Sequence, residues 1–464
     1  VRAYHDVVVA DPRFDECWQG APAAPGRCLR GPRSGSGLGD AVHEWIRTEL
    51  STIPELTHVQ RQPFNFPRYR VRTVGLEADL GDGVEAVSAF PWFGQGVTPA
   101  EGLRAPLARV GLPLIGNPDV DGRVALMRFS RQFNADAADT HETLRAAEAS
   151  GALAAVVTFD APGNLIAAHN YDIQYPLAEM PTVIVGRQDF NRLATAASRG
   201  EEARLTLTAD AVTGVVDNSI ALLPGQDPRL LIIGTPMNTW VGGGGERAPG
   251  AAITVALARH LAARARNEGP LPYSVMFVAT GGHEIYGYGL ERALNCVNPD
   301  GVLAYIHLGA GLVSRGYLEV LGNVVPLPGP SQTRALVMSE NAVLEALVDQ
   351  AFHVSELGLF FRFAAGQAAP GEAEVAYNLG IPMMSLTGAN PFHHTPEDTT
   401  EQVLFDLLPD MFGAYRQLVD SLMETPFETL KGANGATTGD PARNRGYACA
   451  GPISGLDPAL QRAP

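Results

Sequence analysis

The sequence predicts an α/β fold: a mostly parallel, mixed sheet with helices on both faces, carrying a small inserted unit. Three observations lead there. From Leu230 onward, short all-apolar runs (LLIIGT, SVMFVAT, VLAYIHLGA, MMSL) alternate with helical periods. Runs without polar alternation are strands buried on both faces, which is how parallel sheets read. Between residues 82 and 212 the texture changes to a second, shorter set of strands and helices with an apolar core of its own. A length of 464 residues with 45% apolar content leaves room for two or three domains.

Residues 1–81 form an N-terminal segment and the start of the main domain. Val1 to about Arg33 is rich in Pro, Gly and Cys and reads as an irregular lead-in. The first clear helix is DAVHEWIRTELSTI, with Asp40 as its N-cap and Val42, Trp45, Ile46 and Leu50 on its apolar face. VRTVGLEADL follows as a strand. Inside 82–212, DGRVALMRF is a turn and strand, HETLRAAEASGALAAVVTFD a helix and buried strand, MPTVIVG a strand and DFNRLATAASRG a helix. The main domain resumes at 213 and runs to 425, starting with the strand Asp217 to Leu223.

The stretch around which the rest is arranged is LLIIGTPMNTWVGGGGERAPG. A buried strand passes through Gly242 to Gly245 into a helix whose first turn suits Pro249. The glycine run lets backbone approach a ligand closely, and Glu246 and Arg247 sit where loop meets helix. Further helices follow from about Glu284 and over NAVLEALVDQAF, and EQVLFDLLPDMFGAYRQLVDSLM reads as one long final helix. Alternation of this kind places helices on both faces of the sheet. Residues 426–464 are loop-rich and receive no function.

The formal net charge of −16 argues against nucleic acid or an anionic membrane as the main partner. No apolar run is long enough to span a bilayer. The four cysteines match no zinc motif. Cys17 and Cys28 can pair; Cys296 and Cys449 form either a second disulfide or two buried thiols. An even count with two possible pairs leans towards an oxidising compartment, so a secreted or extracytoplasmic location is expected.

Titratable residues gather at strand ends. GGHE follows SVMFVAT and carries His283 and Glu284; His307 ends VLAYIH; PFHHTPEDT, after MMSL, carries His393 and His394. In an open α/β sheet, ligands bind outside the carboxyl ends of the strands. Two carboxylates and up to four of the chain's 11 histidines therefore face one crevice. Taken singly, a strand-end histidine is more often a satisfied structural residue. Jointly, Glu246, Glu284 and His394 suit a zinc ion, which takes about four ligands and leaves one place for water when catalytic.

With these residues in view, the chain resembles the zinc aminopeptidases of the bacterial leucyl aminopeptidase and glutaminyl cyclase type. The resemblance runs from Arg33 to Met423. It is carried by RSGSGLGDAVHEWIRTEL, by FVATGGHEIYGYG, and by GIPMMSL with HHTPEDT. DGRVALMRF, AAEASGALAAVV and MPTVIVG look like an inserted protease-associated (PA) domain. The resemblance implies the three-layer phosphorylase/hydrolase-like aminopeptidase fold.

It also implies a dinuclear metal site, part of which is missing. The bridging Asp, the second Glu of a Glu-Glu pair and the last His fall on Glu246, Glu284 and His394, all able to bind metal. The other site's His and Asp fall on Pro236 and Asn238, and its remaining Asp on His307. The general base falls on His283, and the Asn beside the bridging Asp on Arg247. One metal site of three ligands is thus implied, similar to that of the glutaminyl cyclases, with zinc as the ion and manganese or cobalt nearly as suitable.

His283 can replace the acidic base, since imidazole titrates near neutral pH. His307 can orient it, bind an oxyanion or supply a fourth ligand. Arg247 can clamp a substrate carboxylate, or pair with Glu246 and abolish metal binding. Trp240, Tyr286 and Tyr288 lie near these motifs and can line a pocket, Trp240 as a substrate-binding residue, with packing as the plainer role of each.

Three functions compete. The first is a divergent, single-metal hydrolase of an amide or related acyl bond in a small molecule or peptide. In it Glu246, Glu284 and His394 hold zinc, His283 activates water, and His307 and Arg247 stabilise charge or anchor substrate. The second is a metal-free acid/base enzyme using His283, Glu284, His307 and His394, with Glu372 of PGEAE joining the pocket as a substrate-binding residue. The third is a non-catalytic binding protein, as the transferrin receptor ectodomain uses this fold.

Overall fold

The computed structural model describes residues 1–10, 33–110, 120–129, 137–171, 173, 178–321, 323–352, 357, 360–362, 371–388, 390–435, 439–440 and 444–462. Helices α1 (Arg2–Ala10) and α2 (Gly37–Ser51) lead into the long strand β1 (Thr57–Asp79). A smaller unit follows: β2 (Val84–Ala86), β3 (Ala89–Pro91), β4 (Leu103–Arg109), β5 (Val124–Phe129), α3 (Ala137–Ala149), β6 (Ala154–Phe159), β7 (Thr182–Val185) and α4 (Arg187–Ser198). Strand β8 (Glu202–Leu223) returns antiparallel along nearly the whole of β1. These two strands run from the smaller unit into the main one, so the expected division at 212/213 lies inside a continuous strand.

The main unit continues with β9 (Asp227–Pro236), α5 (Ala248–Glu268), β10 (Tyr273–Thr280), α6 (Tyr288–Leu294) and β11 (Val302–Leu308). Next come the hairpin β12 (Tyr317–Val320) and β13 (Asn323–Pro326), then β14 (Arg334–Met338), α7 (Ala342–Phe352), β15 (Phe360–Arg362), α8 (Ala373–Asn378), β16 (Met383–Gly388), α9 (Leu408–Glu424) and α10 (Phe427–Gly432). Strand order in the main unit is β15-β14-β16-β11-β9-β10-β8. The central four, β16, β11, β9 and β10, are mutually parallel, while β8 and β14 join antiparallel. The expected mixed, mostly parallel sheet is present.

Two apolar cores make this part three-layered. One face packs α1, α2, α5, α7, α9 and α10 through residues such as Tyr4, Ile46, Leu257, Leu344 and Leu418. The other packs α6, α8 and the C-terminal segment through Leu290, Val375, Ile453 and Leu460. A third core, centred on Trp92, Val156 and Ile184, fills the smaller unit. Among the described residues no helix is long and apolar enough to cross a membrane.

Several local expectations change. The lead-in contains α1, whose Tyr4 and Val8 are buried one turn apart, a helix hidden in sequence by its run of β-branched valines. The N-cap of α2 is Ser36, whose hydroxyl accepts from Gly39 N at 2.9 Å, and Asp40 lies inside the first turn. The long final helix starts only at Leu408, with Pro409 in its first turn, after two short 3₁₀ turns. The C-terminal segment is fastened to the turn just after α6 by a Cys296–Cys449 disulfide. Cys17 and Cys28 lie outside the described residues.

Candidate active site

Four parallel strands end on one edge, and their carboxyl ends deliver the titratable groups. After β9 the chain turns through Gly242 (φ 69°) and Gly243 (φ 89°) into α5, with Glu246 and Arg247 just before the helix. The glycines serve close approach, but to the chain itself. A Cβ on Gly242 would stand 2.6 Å from the Asp398 carbonyl, and one on Gly244 2.4 Å from the backbone of Thr399. After β10 a 3₁₀ turn, His283–Ile285, presents His283 and Glu284. His307 lies on β11, and His393 and His394 follow β16.

Among the described residues one group of three side chains with metal-ligand atoms within 4.8 Å of one another appears: Glu246, His393 and His394. His394 Nε2 is 3.3 Å from Glu246 Oε1, and His393 Nδ1 is 3.8 Å from Glu246 Oε2. The two imidazoles stack at 4.0 Å. Glu246 is fully buried, accepts from Thr239 Oγ1 and donates its backbone N–H to Asp398 at 3.0 Å. His394 holds the left-handed conformation at φ 61°, a strain that tends to collect at functional sites.

Of the three expected ligands, Glu246 and His394 therefore meet. The Glu284 carboxylate stands outside the group and accepts from Ser34 Oγ at 2.8 Å. Arg247 is 1% exposed. Its Nε donates to the Asn238 carbonyl at 2.7 Å, and its Nη2 touches Glu246 Oε1 at 2.5 Å as an ion contact without hydrogen-bond alignment.

A second cluster centres on Glu372, which is buried in the turn before α8. Thr280 Oγ1 lies 2.9 Å from both its oxygens. His283 Nδ1 is 3.4 Å from Oε2 and His307 Nε2 3.4 Å from Oε1, the latter a contact too poorly aligned for a hydrogen bond. His307 Nδ1 in turn meets Ser385 Oγ at 2.8 Å. Glu372, expected to touch substrate, has both oxygens engaged by protein groups, and both imidazoles face it.

Charge in the site is unbalanced. Glu246, Glu284, Glu372 and Asp398 are all buried, and of the arginines near them Arg247 and Arg33 are buried too. Burial pushes the Glu284 carboxyl up to about 7, against the pull of Arg247. Burial and the Glu246 charge push Asp398 up to about 7 as well. Burial also raises Glu246, but Arg247, His393 and His394 outweigh it and hold the group ionised. Glu372 is likewise held below the usual carboxylate range, its burial overcome by His283 and His307. Burial, then the Arg247 charge, push His283 down to about 4, so its imidazole is neutral near pH 7.

The smaller unit forms one wall. Ala168 N donates to the His394 carbonyl at 3.0 Å, and His394 Nδ1 meets the Ala168 carbonyl at 3.1 Å. Tyr171 N donates to the Glu284 carbonyl at 3.2 Å. Trp240 Nε1 donates to Asn170 Oδ1 at 2.7 Å while its ring stacks on Phe93 at 4.8 Å. Trp240 is thus engaged in packing between the two units. Tyr288 is buried with its hydroxyl on the Asn65 carbonyl, and Tyr286 adopts φ 60°. A small cavity of about 40 Å³ lies beside Glu284, Ser34, Trp240 and Tyr171.

No family model matches the chain, and no curated protein sequence matches it. Solved structures do. A zinc aminopeptidase from Bacillus subtilis superposes with a TM-score of 0.65 at 16% identity, covering 88% of this chain and 94% of the other. A peptidase M28 precursor from Shewanella amazonensis SB2B gives 0.66 at 17% identity over 85% and 90%. An aminopeptidase from Aneurinibacillus sp. strain AM-1 gives 0.59 at 18% over 91% and 93%. The chain has the zinc-aminopeptidase fold. At these identities the chemistry must be argued from its own residues.

Proposed function

We propose that this chain is a hydrolase of an amide or related acyl bond in a small molecule or peptide, using one bound divalent metal ion. The observation that carries the proposal is the convergence of Glu246, His393 and His394, with Glu246 Oε1 and His394 Nε2 buried and without an aligned hydrogen bond. Ligand atoms about 2.0–2.1 Å from a tetrahedral zinc would stand roughly 3.3 Å from one another, and Glu246 Oε1 and His394 Nε2 are 3.3 Å apart. One carboxylate and two imidazoles favour zinc. When bound, such an ion polarises a carbonyl and acidifies a water.

The chain's own groups account for the remaining steps. Water adds to the acyl carbon and the C–N bond breaks, giving an acid and an amine. His283 takes the proton from the attacking water and returns it to the departing nitrogen. It is suited to this because it is neutral and its side chain is 14% exposed, where Glu246 and Glu372 are sealed. Arg247 places a fixed positive charge where negative charge develops. The Cys296–Cys449 disulfide supports an extracytoplasmic location. We take residues 82–212 to be a PA-like insert that walls the cleft.

A second reading keeps the cleft and dispenses with metal. It is favoured by the Arg247–Glu246 contact, which already neutralises the carboxylate. The test is hydrolysis of a panel of aminoacyl p-nitroanilides and acyl esters by wild type, with zinc added or chelated, and by His283→Ala and Glu246→Ala. The proposal expects turnover lost on chelation and in both variants. Turnover that survives chelation favours the metal-free reading; variants equal to wild type on every substrate contradict both.

A further inference from the structure

We infer that Glu372 is a positioning residue that fixes the tautomer of His283, leaving Nε2 as the basic atom that meets water. The inference concerns an imidazole orientation and stands on geometry; only its catalytic use rests on the hydrolase reading above.

The polarity of the cluster leaves little freedom. An ionised carboxylate only accepts hydrogen bonds. Thr280 supplies one hydroxyl hydrogen between the two oxygens, 2.9 Å from each. A nitrogen facing this carboxylate must carry hydrogen to be attracted to it. His283 presents Nδ1 at 3.4 Å, so Nδ1 is protonated. A neutral imidazole then has its lone pair on Nε2.

His307 presents Nε2 at 3.4 Å, so its lone pair lies on Nδ1. Ser385 Oγ, 2.8 Å from that Nδ1, donates to it. Ser385 thus donates to His307, whose Nε2 faces Glu372 as an ion contact without hydrogen-bond alignment, and His283 Nδ1 faces the same carboxylate. The two histidines hold opposite tautomers, each dictated by one buried anion.

The local build supports a dedicated position. Glu372 is 1% exposed, and a Cβ on Gly287 would stand 2.7 Å from its Cβ, so only glycine there lets the turn close on it. The Gly371 Cβ position lies 3.8 Å from His283 Cε1, which brings the Glu372 turn directly against the ring. The 3.4 Å separation of His283 Nδ1 from Glu372 is long, as catalytic hydrogen bonds often are before substrate arrives. An orienting carboxylate behind a histidine base is a recurrent arrangement because the wrong tautomer has no lone pair where the proton must be taken.

The test is nitrogen NMR on protein labelled at histidine, with His283 assigned by loss of its signals in His283→Gln. The expected wild-type signature is pyrrole-type at Nδ1 and pyridine-type at Nε2. Glu372→Gln presents an amide that donates to one imidazole and accepts from the other, so one of the two histidines switches tautomer. On any substrate the panel yields, kcat falls roughly 10²-fold with KM little changed. Glu372→Asp keeps the anion, so it retains the wild-type signature and recovers part of kcat. A wild-type His283 with pyridine-type Nδ1 overturns the inference whether or not the protein hydrolyses anything. So does a folded Glu372→Gln that keeps both tautomers and full kcat. If Glu372→Gln does not fold, the wild-type and Glu372→Asp spectra decide.

Discussion

Replacing Glu246 by Gln leaves the Arg247 guanidinium charged in a site where it is 1% exposed, with one aligned hydrogen bond to the Asn238 carbonyl. Gln keeps the shape and its carbonyl can still accept from Thr239, so the loss is electrostatic. Breaking a buried pair by removing one partner costs about 3–5 kcal/mol. That is a large part of the roughly 5–15 kcal/mol that ordinarily holds a fold together. Arg247→Met costs less, because the stranded Glu246 can take up a proton at roughly 1.4 kcal/mol per pH unit. The double variant removes both charges and returns close to wild type, so the coupling energy equals the sum of the two single losses and exceeds about 3 kcal/mol. The assay is urea unfolding of chelator-treated protein, read by far-UV circular dichroism and tryptophan fluorescence together to check that the transition is two-state. A Glu246→Gln variant within about 1 kcal/mol of wild type, or a double variant that equals the sum of the singles, would refute the buried ion pair.

The remaining predictions concern pH. Burial holds His43 neutral, with its pKa pushed down to about 4. Between pH 4 and 6.5 the unfolded chain binds a proton that the folded one refuses, so stability rises with pH in that window by up to about 1.4 kcal/mol per unit. His43→Gln should flatten this slope in denaturant titrations; an unchanged slope would show that another group carries it. Glu284 works in the opposite direction. Its folded pKa of about 7 lies above the unfolded value of 4.5, so the folded state holds a proton the unfolded chain has released, and stability falls as pH rises from about 4.5 to 7. In chelated protein Glu284→Gln should therefore be more stable than wild type above about pH 7, by up to roughly 3 kcal/mol. A less stable variant at about pH 8 would mean that the carboxylate is well solvated or paired.

Much of the site was legible because a parallel sheet puts all its strand ends on one edge. The runs ending at Pro236, Thr280, Leu308 and Gly388 are apolar enough to read as central strands, and the loops leaving them are bound to gather. Which atoms touch was less legible, since one residue of register or one rotamer decides it. His393 and His394 are adjacent in sequence, yet both rings turn to Glu246, while Glu284 turns to Ser34, 250 positions away. Nothing local in RSGSG announces that bond. Asp398 is plain to see in HHTPEDT, but its link to the Glu246 amide depends on the glycine loop folding against it. The contacts of Ala168 and Tyr171 with His394 and Glu284 depend on how the two units meet, which no periodicity reports. The hairpin β12–β13, which pairs Glu319 with Arg187 of α4, escapes a sequence reading because its strands are short and its apolar residues exposed.

The central claim is that Glu246, His393 and His394 share an ion. Elemental mass spectrometry of protein purified without chelator tests it most directly. About one zinc per chain is expected, falling to a small fraction in His394→Ala while the variant keeps the wild-type circular dichroism. Wild-type protein that stays free of zinc, manganese and cobalt even after dialysis against each would contradict the claim and leave the cleft to its carboxylates and imidazoles alone.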